Sequence, residues 1–226
     1  VMVPVTDAVA NRRPAMGVQF DVDVDTEAYR ESHIEGAVAF NWTSQLQDQV
    51  RRDIISRPAL DELLSSAGVS SGTHVVLYGD NNNWFAAYAY WVARIYGHAH
   101  VSLMDGGRKK WELEGRELVT DVPQLASTTY RAGEPDFSIR AYAHDVRATI
   151  DAPGHALVDV RSPAEFTGQV IAPPGMSETA QRAGHVPGAA NIPWAQAAND
   201  DGSFKSAAEL AALYGGKGVT PDRDVI

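Results

Sequence analysis

Short apolar runs alternate along the chain with segments of helical periodicity. Three runs have the length and the β-branched content of strands, and they occupy residues 18–24, 75–78 and 101–104. Three helical patterns occupy residues 58–67, 84–96 and 108–114. Strands that alternate with helices predict a parallel sheet flanked by helices, which is an α/β fold.

The chain also contains an internal repeat. Residues 33–38 (HIEGAV) recur as residues 185–190 (HVPGAA), and each copy leads into a turn that bears a tryptophan, Trp42 or Trp194. Each copy follows its own strand-then-helix pattern. The repeat therefore predicts two α/β domains of the same design rather than one large domain.

The second copy carries clear helix-start signals. A predicted strand at residues 156–160 precedes Ser162 and Glu165, and the same spacing recurs at Ser206 and Glu209. A serine followed three residues later by glutamate is the pattern of a capping box, so a helix is predicted to begin at each serine. We interpret Glu165 as a capping residue rather than a catalyst.

Composition places the boundary between the two copies. Residues 123–138 are rich in Thr, Ser, Pro and Gly and show no helical periodicity, so we interpret them as a linker. The predicted domains are therefore residues 1–122 and residues 139–226.

Bulk composition excludes several classes of function. A net charge of −10 argues against nucleic-acid binding, and no apolar run is long enough for a membrane helix. The N-terminus lacks the pattern of a signal peptide, so we predict a cytoplasmic protein. There is no cysteine, and His98 and His100 have no third ligand nearby, so no disulfide and no metal site is expected.

In the first copy, residues 79–83 (GDNNN) follow a predicted strand and precede a helix. A tight loop between a strand and a helix places backbone amides at a helix N-terminus, where anions bind. The second copy reaches the start of its matching strand at residues 224–226.

These motifs resemble the rhodanese family in its two-domain, thiosulfate sulfurtransferase form of the actinobacterial type. The resemblance rests on the two His-x-x-Gly-Ala motifs, on residues 159–166 (DVRSPAEF) and on residues 105–111 (DGGRKKW). It implies two rhodanese-like domains, each a parallel sheet flanked by helices, of which the second is incomplete here.

The resemblance also implies a mechanism. A cysteine at the head of the second domain's loop would take the outer sulfur of thiosulfate, release sulfite, and pass the sulfur to a thiol or cyanide. No organic or metal cofactor is implied. Gly79 stands at the matching position of the first copy, which is therefore expected to be inactive.

The 226 residues contain no cysteine, and in the second copy the matching position falls beyond them. Alignment of the two strands places it three residues beyond Ile226, and alignment of the two tryptophans places it five beyond. We therefore expect the 226-residue chain to be inactive and the gene product to continue for about 50 residues, because half a sheet buries its core poorly.

The predicted substrate-binding residues are Arg161, Arg182, Trp84 and Phe85. Arg161 follows the carboxyl end of a strand, where ligands of open α/β sheets bind, and its fork could hold two oxygens of thiosulfate. The alternative is a surface arginine paired with Asp159 or Glu165. Arg182 is either a second charge at the rim or an exposed loop residue.

For Trp84 and Phe85 two interpretations are equally good. They form either the apolar wall that the family places opposite the catalytic cysteine or ordinary interdomain core. Asp159, His185 and Gly188 are predicted to support the site structurally. Because His185 and His33 occur in both copies, each is interpreted as a hydrogen-bonded turn, and Gly188 and Gly36 as positions where a Cβ would clash.

Two other functions stay open. A cysteine-less tandem could be a binding or regulatory module, and a relative of the same fold could use 3-mercaptopyruvate as its sulfur donor. The residues that choose the donor in this family follow the cysteine, so the given residues do not separate these alternatives.

Overall fold

The computed structural model describes residues 2–3, 17–173 and 180–226, and for residues 2–3 only the backbone. The N-terminal stretch interpreted as lacking a signal peptide lies mostly outside these residues. The chain divides into two compact units, Val1–Phe137 with Asp200–Ser203, and Ser138–Asn199 with Phe204–Ile226. The predicted domain boundaries at 122 and 138 stay predictions.

The first unit is built on a five-stranded sheet whose paired strands all run parallel. Its strands are β1 (Met2–Val3), β2 (Gly17–Asp23), β3 (Ala37–Asn41), β4 (His74–Tyr78) and β5 (Val101–Met104). Their order across the sheet is β1-β5-β4-β2-β3, so β4 and β2 are central.

Five helices of the described residues accompany this sheet. They are α1 (Thr26–Glu31), α2 (Trp42–Gln45), α3 (Arg57–Ser66), α4 (Asp80–Ile95) and α5 (Gly107–Leu113). The strands at 75–78 and 101–104 and the helices after them were predicted from periodicity, and the α/β fold class is confirmed.

Both faces of the sheet are covered. Val76 and Tyr78 of β4 pack with Tyr29 of α1 and Trp111 of α5 in one cluster. The alternate residues of β4, Val75 and Leu77, lie on the opposite face. There they meet apolar side chains of α3 (Leu60 and Leu64) and of α4 (Ala89 and Val92). A parallel sheet buried on both faces accounts for the continuous apolar run in β4.

The start of α4 differs from the prediction. The helix was predicted from residue 84, whereas the helical segment begins at Asp80 and includes three residues with left-handed backbone, Asn81, Asn82 and Asn83, with φ of 50°, 54° and 64°. Asparagine tolerates this conformation better than most residues do. Asn83 is fully buried, accepts from Gly79 N and donates to Met104 O, so it ties the loop to the end of β5.

The segment predicted as a linker is held against the first unit. Tyr130 is only 2% exposed, and its backbone N–H donates to Ser65 Oγ on α3 at 2.9 Å. Further along, Gly133 N donates to Tyr96 O at 2.9 Å. Residues 123–138 contain neither α-helix nor strand but are hydrogen-bonded to the first unit, and they end in a 3₁₀ turn at Phe137–Ile139.

The second unit has shorter elements. They are α6 (Ala143–Thr149), β6 (His155–Ala156), β7 (Val158–Asp159), α7 (Pro163–Thr167), β8 (Ala190–Asn191), a 3₁₀ turn (Trp194–Ala197), α8 (Ala207–Gly215) and β9 (Asp224–Val225). β6 pairs with β9 and β7 with β8, both in parallel. Residues 155–159 thus run between β9 and β8, as β2 runs between β4 and β3.

The registers of the two units correspond. Asp21 lies opposite Ala39 on β3, and Asp159 lies opposite Asn191 on β8. Ala39 and Asn191 each stand two residues after the alanine of their own His-x-x-Gly-Ala motif. Their strand partners therefore correspond, and Asp159 is the structural counterpart of Asp21. On the other side, Val225 pairs with Ala156 as Val75 pairs with Val18.

Both predicted capping boxes are confirmed. Ser162 Oγ accepts from Glu165 N while the Glu165 carboxylate accepts from Ser162 N, and Ser206 and Glu209 do the same. The side chain of Glu165 is thereby occupied as a cap. The helix starts were readable from sequence because these bonds join residues only three positions apart.

The expected clash at the motif glycines is wrong. No atom lies within 4 Å of a Cβ built on Gly36 or Gly188. Both instead have φ of 79°, a left-handed conformation that favours glycine. The reason for glycine in both copies is therefore the backbone of the turn.

No helix among the described residues is long and apolar enough to cross a membrane.

Candidate active site

The candidate site lies at the carboxyl end of β7 in the second unit. β7 ends at Asp159, and Val160 and Arg161 form the turn that leads to Ser162, the N-cap of α7. In a parallel sheet this end is where the loops that bind ligands meet. The backbone of the turn is anchored to the segment that follows β8, because Trp194 N donates to Val160 O at 2.9 Å.

Arg161 is held by two residues. Its Nε lies 3.0 Å from Asp159 Oδ1 and its Nη2 2.6 Å from Asp159 Oδ2, while Nη2 also donates to Gly184 O at 2.7 Å. The ion pair with Asp159 was one of the two interpretations of this residue. A guanidinium has five N–H donors, so these contacts use three.

The two remaining donors are both on Nη1, and no residue in the described part of the chain accepts from them. The side chain as a whole is 31% exposed. Asp159 occupies the Nε and Nη2 edge of the fork, and the binding of two thiosulfate oxygens by Arg161 stays a prediction. What Arg161 can offer an anion is one nitrogen with two hydrogens.

Charge at the site is nearly balanced. Burial opposes ionisation of Asp159, yet its bonds with Arg161 outweigh this and hold the pKa of the carboxyl below its usual range. The same bonds raise the pKa of Arg161. The pair therefore stays ionised, and an anion at Nη1 meets little net positive charge from the pair itself.

The His-x-x-Gly-Ala motif joins this site through Gly184 and its neighbour. His185 stacks on Phe166 of α7 with ring centroids 3.7 Å apart, and its Nδ1 lies 2.8 Å from Phe166 O. His33 of the first unit makes the same two contacts with Tyr29, at 3.8 Å and 2.8 Å. The shared geometry explains why both copies keep the histidine, and the support of the site by His185 stays a prediction.

Arg182 precedes His185 in the same loop, and Gly188 follows it. Gly188 forms the left-handed turn after His185. Arg182 is exposed, and no hydrogen bond or ion pair joins it to the residues that the structure describes. Its role at the rim stays a prediction.

Trp84 and Phe85 lie in the first unit, where the left-handed run of α4 ends. Trp84 is 43% exposed and Phe85 is 8% exposed. Phe85 stacks on Trp84 and on Trp42, with ring centroids 5.2 Å apart in each pair. Phe85 is thus part of an aromatic cluster within its own unit, and the predicted apolar wall stays a prediction.

The first unit shows why its copy of the loop lacks a nucleophile. A Cβ on Gly79 would lie 2.4 Å from Val22 O on the adjacent strand. No side chain fits there without a shift of the backbone. The position that matches the predicted cysteine is therefore closed in the first unit.

A half-buried arginine lies near Asp21, the first unit's counterpart of Asp159. Arg108 Nη1 donates to Ser32 O at 2.7 Å, Nη2 to Ser32 Oγ at 2.6 Å, and Nε to Glu112 Oε1 at 2.9 Å. Its Nη1 lies 3.9 Å from Asp21 Oδ2. This arginine comes from α5 rather than from the turn after the aspartate.

Sequence reasoning missed two residues of the site, Gly184 and Asn191. Gly184 accepts from Arg161, and Asn191 bonds the turn that carries it. The only signal for Asn191 was a difference between the copies, because Ala39 stands at its position in the first. Among the described residues no group of three acidic, histidine or cysteine side chains could hold a metal ion.

Comparison with known proteins identifies the family. Residues 7–114 and 142–226 match the rhodanese-like domain. The chain belongs to the rhodanese family. Two rhodanese regions in one chain confirm the predicted tandem organisation.

Relatives from two organisms carry the provisional name thiosulfate sulfurtransferase. The protein of Saccharopolyspora erythraea is 54% identical over 213 residues, which are 93% of this chain and 75% of the relative. That of Mycolicibacterium smegmatis is 48% identical over 227 residues, covering 100% of this chain and 81% of the relative.

A solved structure supports the fold. SseA from Escherichia coli, described as a 3-mercaptopyruvate sulfotransferase, aligns with a TM-score of 0.82 over 99% of this chain and 86% of its own. At 24% identity this similarity concerns the rhodanese fold alone.

Proposed function

We propose that this rhodanese is a thiosulfate sulfurtransferase that transfers sulfane sulfur to cyanide or a thiol through a cysteine persulfide. The observation that carries the proposal is Arg161 at the carboxyl end of β7, which is held by Asp159 and Gly184 and whose Nη1 has no acceptor among the described residues. The names of the relatives support the choice of donor.

The nucleophile in this proposal is a cysteine outside the 226 residues, which contain none. The register of the second unit supports its position. Val225 takes the place of Val75, and the loop of the first unit begins at Gly79. The corresponding position is three residues after Ile226, which favours the strand alignment over the tryptophan alignment.

The chemistry divides into two transfers. The cysteine thiolate attacks the outer sulfur of thiosulfate, the sulfur–sulfur bond breaks, and sulfite leaves with the bonding electron pair. In the second step cyanide attacks the outer sulfur of the persulfide, giving thiocyanate and restoring the thiolate. Arg161 Nη1 would hold an oxygen of thiosulfate and stabilise the charge that develops on the leaving sulfite.

The test uses the complete gene product, its variant with the predicted cysteine changed to serine, and the 226-residue chain. We expect thiocyanate formation from thiosulfate and cyanide by the complete protein only. Turnover by the cysteine-free chain would overturn the persulfide mechanism. Transfer from 3-mercaptopyruvate but not from thiosulfate would replace the donor, and no transfer from either would favour a binding module.

The remaining parts of the proposal follow the sequence predictions. The partners are thiosulfate, sulfite and a thiol or cyanide, with no nucleic acid and no cofactor. We predict a cytoplasmic location. Fractionation of cells that express the complete protein would check it.

A further inference from the structure

The side chain of Asn191, at the end of β8, reaches the turn that carries Arg161. Its Nδ2 donates to Asp159 O at 3.0 Å and to Arg161 O at 2.8 Å. Both hydrogens of one amide are therefore used, one on each side of Val160. The side chain bridges the turn from end to end.

The backbone of the neighbouring strand does not make this second contact. Residues 190–194 donate backbone N–H groups to the carbonyls of Leu157, Asp159 and Val160, at 2.8, 3.0 and 2.9 Å. Among the described residues no backbone N–H reaches the carbonyl of Arg161, and Asn191 is its donor. The carbonyl of Arg161 is therefore held by a side chain and not by a backbone N–H of the neighbouring strand.

The first unit has neither part of this arrangement. Ala39 stands at the register position of Asn191, and Asp23 stands two residues after Asp21, where Arg161 stands after Asp159. A side-chain amide does reach the matching turn of the first unit, where Asn41 Nδ2 donates to Val24 O at 2.8 Å, but it makes one contact with the turn instead of two. The bridge with two contacts is found in the unit that carries the arginine.

We propose that Asn191 is a positioning residue for the binding of thiosulfate, acting through Arg161. By fixing the carbonyls of Asp159 and Arg161 it sets the direction of the Arg161 side chain, so that the guanidinium spans Asp159 and Gly184 and presents Nη1. This inference rests on the proposed function of Arg161.

The experiment is a double-mutant cycle in the complete protein with Asn191→Ala, Arg161→Ala and the double variant. Thiosulfate kinetics are measured with cyanide in excess. We expect Asn191→Ala to lower kcat/KM for thiosulfate three- to tenfold, mainly through KM. In the Arg161→Ala background the same change should cost less than twofold, because residues that act as a unit are not additive.

Asn191→Ser, which keeps one donor, should give a smaller loss and covers the case in which the alanine variant folds poorly. Asn199→Ala is the matched control, because Asn199 Nδ2 also donates to a backbone carbonyl of the same unit, Phe204 O at 3.2 Å. It should leave thiosulfate kinetics unchanged.

The outcomes separate the two proposals. An equal loss from Asn191→Ala in both backgrounds, or no loss in either, overturns positioning through Arg161 while the role of Arg161 stands. An Arg161→Ala variant within twofold of wild type overturns the anion-binding role itself and the positioning role with it.

Discussion

Asp21 and Asp159 occupy the same register position in the two units, but their carboxyl groups are in opposite electrostatic situations. Burial raises the pKa of Asp21 from 3.8 to about 7, and the hydrogen bond from Tyr78 and the charge of Arg108 offset this only in part. For Asp159 the bonds with Arg161 overcome burial and lower the pKa.

Burial is the largest cause of the raised pKa of Asp21, and the residues two positions further along add to the difference. Asp23 follows Asp21, which adds negative charge, whereas Arg161 follows Asp159 and grips it with two nitrogens. Arg108 stays 3.9 Å from Asp21 because Ser32 and Glu112 hold its guanidinium. One fold thus holds an aspartate that disfavours ionisation and another that orients an accessible arginine.

The largest effect is expected from Arg161→Ala in the complete protein. Loss of a charge-assisted hydrogen bond to thiosulfate should cost about 1.5–3 kcal/mol of transition-state binding, or roughly a ten- to hundredfold fall in kcat/KM. Arg161→Lys should recover little, because an ammonium cannot grip Asp159 with two nitrogens and also present a third. Steady-state kinetics check this, and a variant within twofold of wild type would make Arg161 only a partner of Asp159.

Gly79→Ala tests whether the first unit is closed to a side chain at the matching loop position. The added Cβ would meet Val22 O at 2.4 Å, so we expect a loss of roughly 1–3 kcal/mol in the free energy of unfolding. Gly72→Ala is the control, because no atom lies within 4 Å of its Cβ and its φ needs no glycine.

Urea unfolding followed by tryptophan fluorescence can measure this difference. Most of the tryptophans, Trp42, Trp84, Trp91 and Trp111, lie in the first unit, so the signal reports mainly on that unit. Equal stability of the two variants would show that the Gly79 loop adapts and that the site is open.

The last comparison concerns the dependence of stability on pH. Because the folded pKa of Asp21 is raised, the folded state binds more protons than the unfolded state, and stability falls as pH rises from about 4 through about 7. Asp21→Asn removes this dependence. We expect its Tm relative to wild type to rise by roughly 5–10 °C between pH 5 and pH 8, the shift for about 2.5 kcal/mol in a chain of this size.

Asp159→Asn should show the opposite sign. A lowered folded pKa stabilises the protein above the usual carboxyl range, and that contribution is lost as pH falls through the folded pKa. The asparagine variant should therefore be less stable than wild type at neutral pH, with a deficit that shrinks in acid. Thermal unfolding across pH checks both variants. If the stability of both variants relative to wild type changed with pH in the same direction, the contrast between the units would disappear. The charged groups near Asp21 are Asp23, Asp80 and Arg108.

Local features of this rhodanese were determined by the sequence by itself. The two His-x-x-Gly-Ala motifs, the alternation of strands and helices, and the capping boxes at Ser162 and Ser206 depend on residues close together in the chain. Short-range patterns of this kind have one favoured local structure, so they predicted the repeat, the α/β class and the helix starts.

Features that depend on distant groups were decided only by the tertiary structure. Nε and Nη2 of Arg161 are engaged because Asp159 and Gly184 lie beside them. A side chain at Gly79 is excluded by the Val22 carbonyl of a neighbouring strand. The opposite pKa shifts of Asp21 and Asp159 follow from burial and from charges that the fold brings near. No local pattern contains these distances, because they are set where separate segments of the chain pack together.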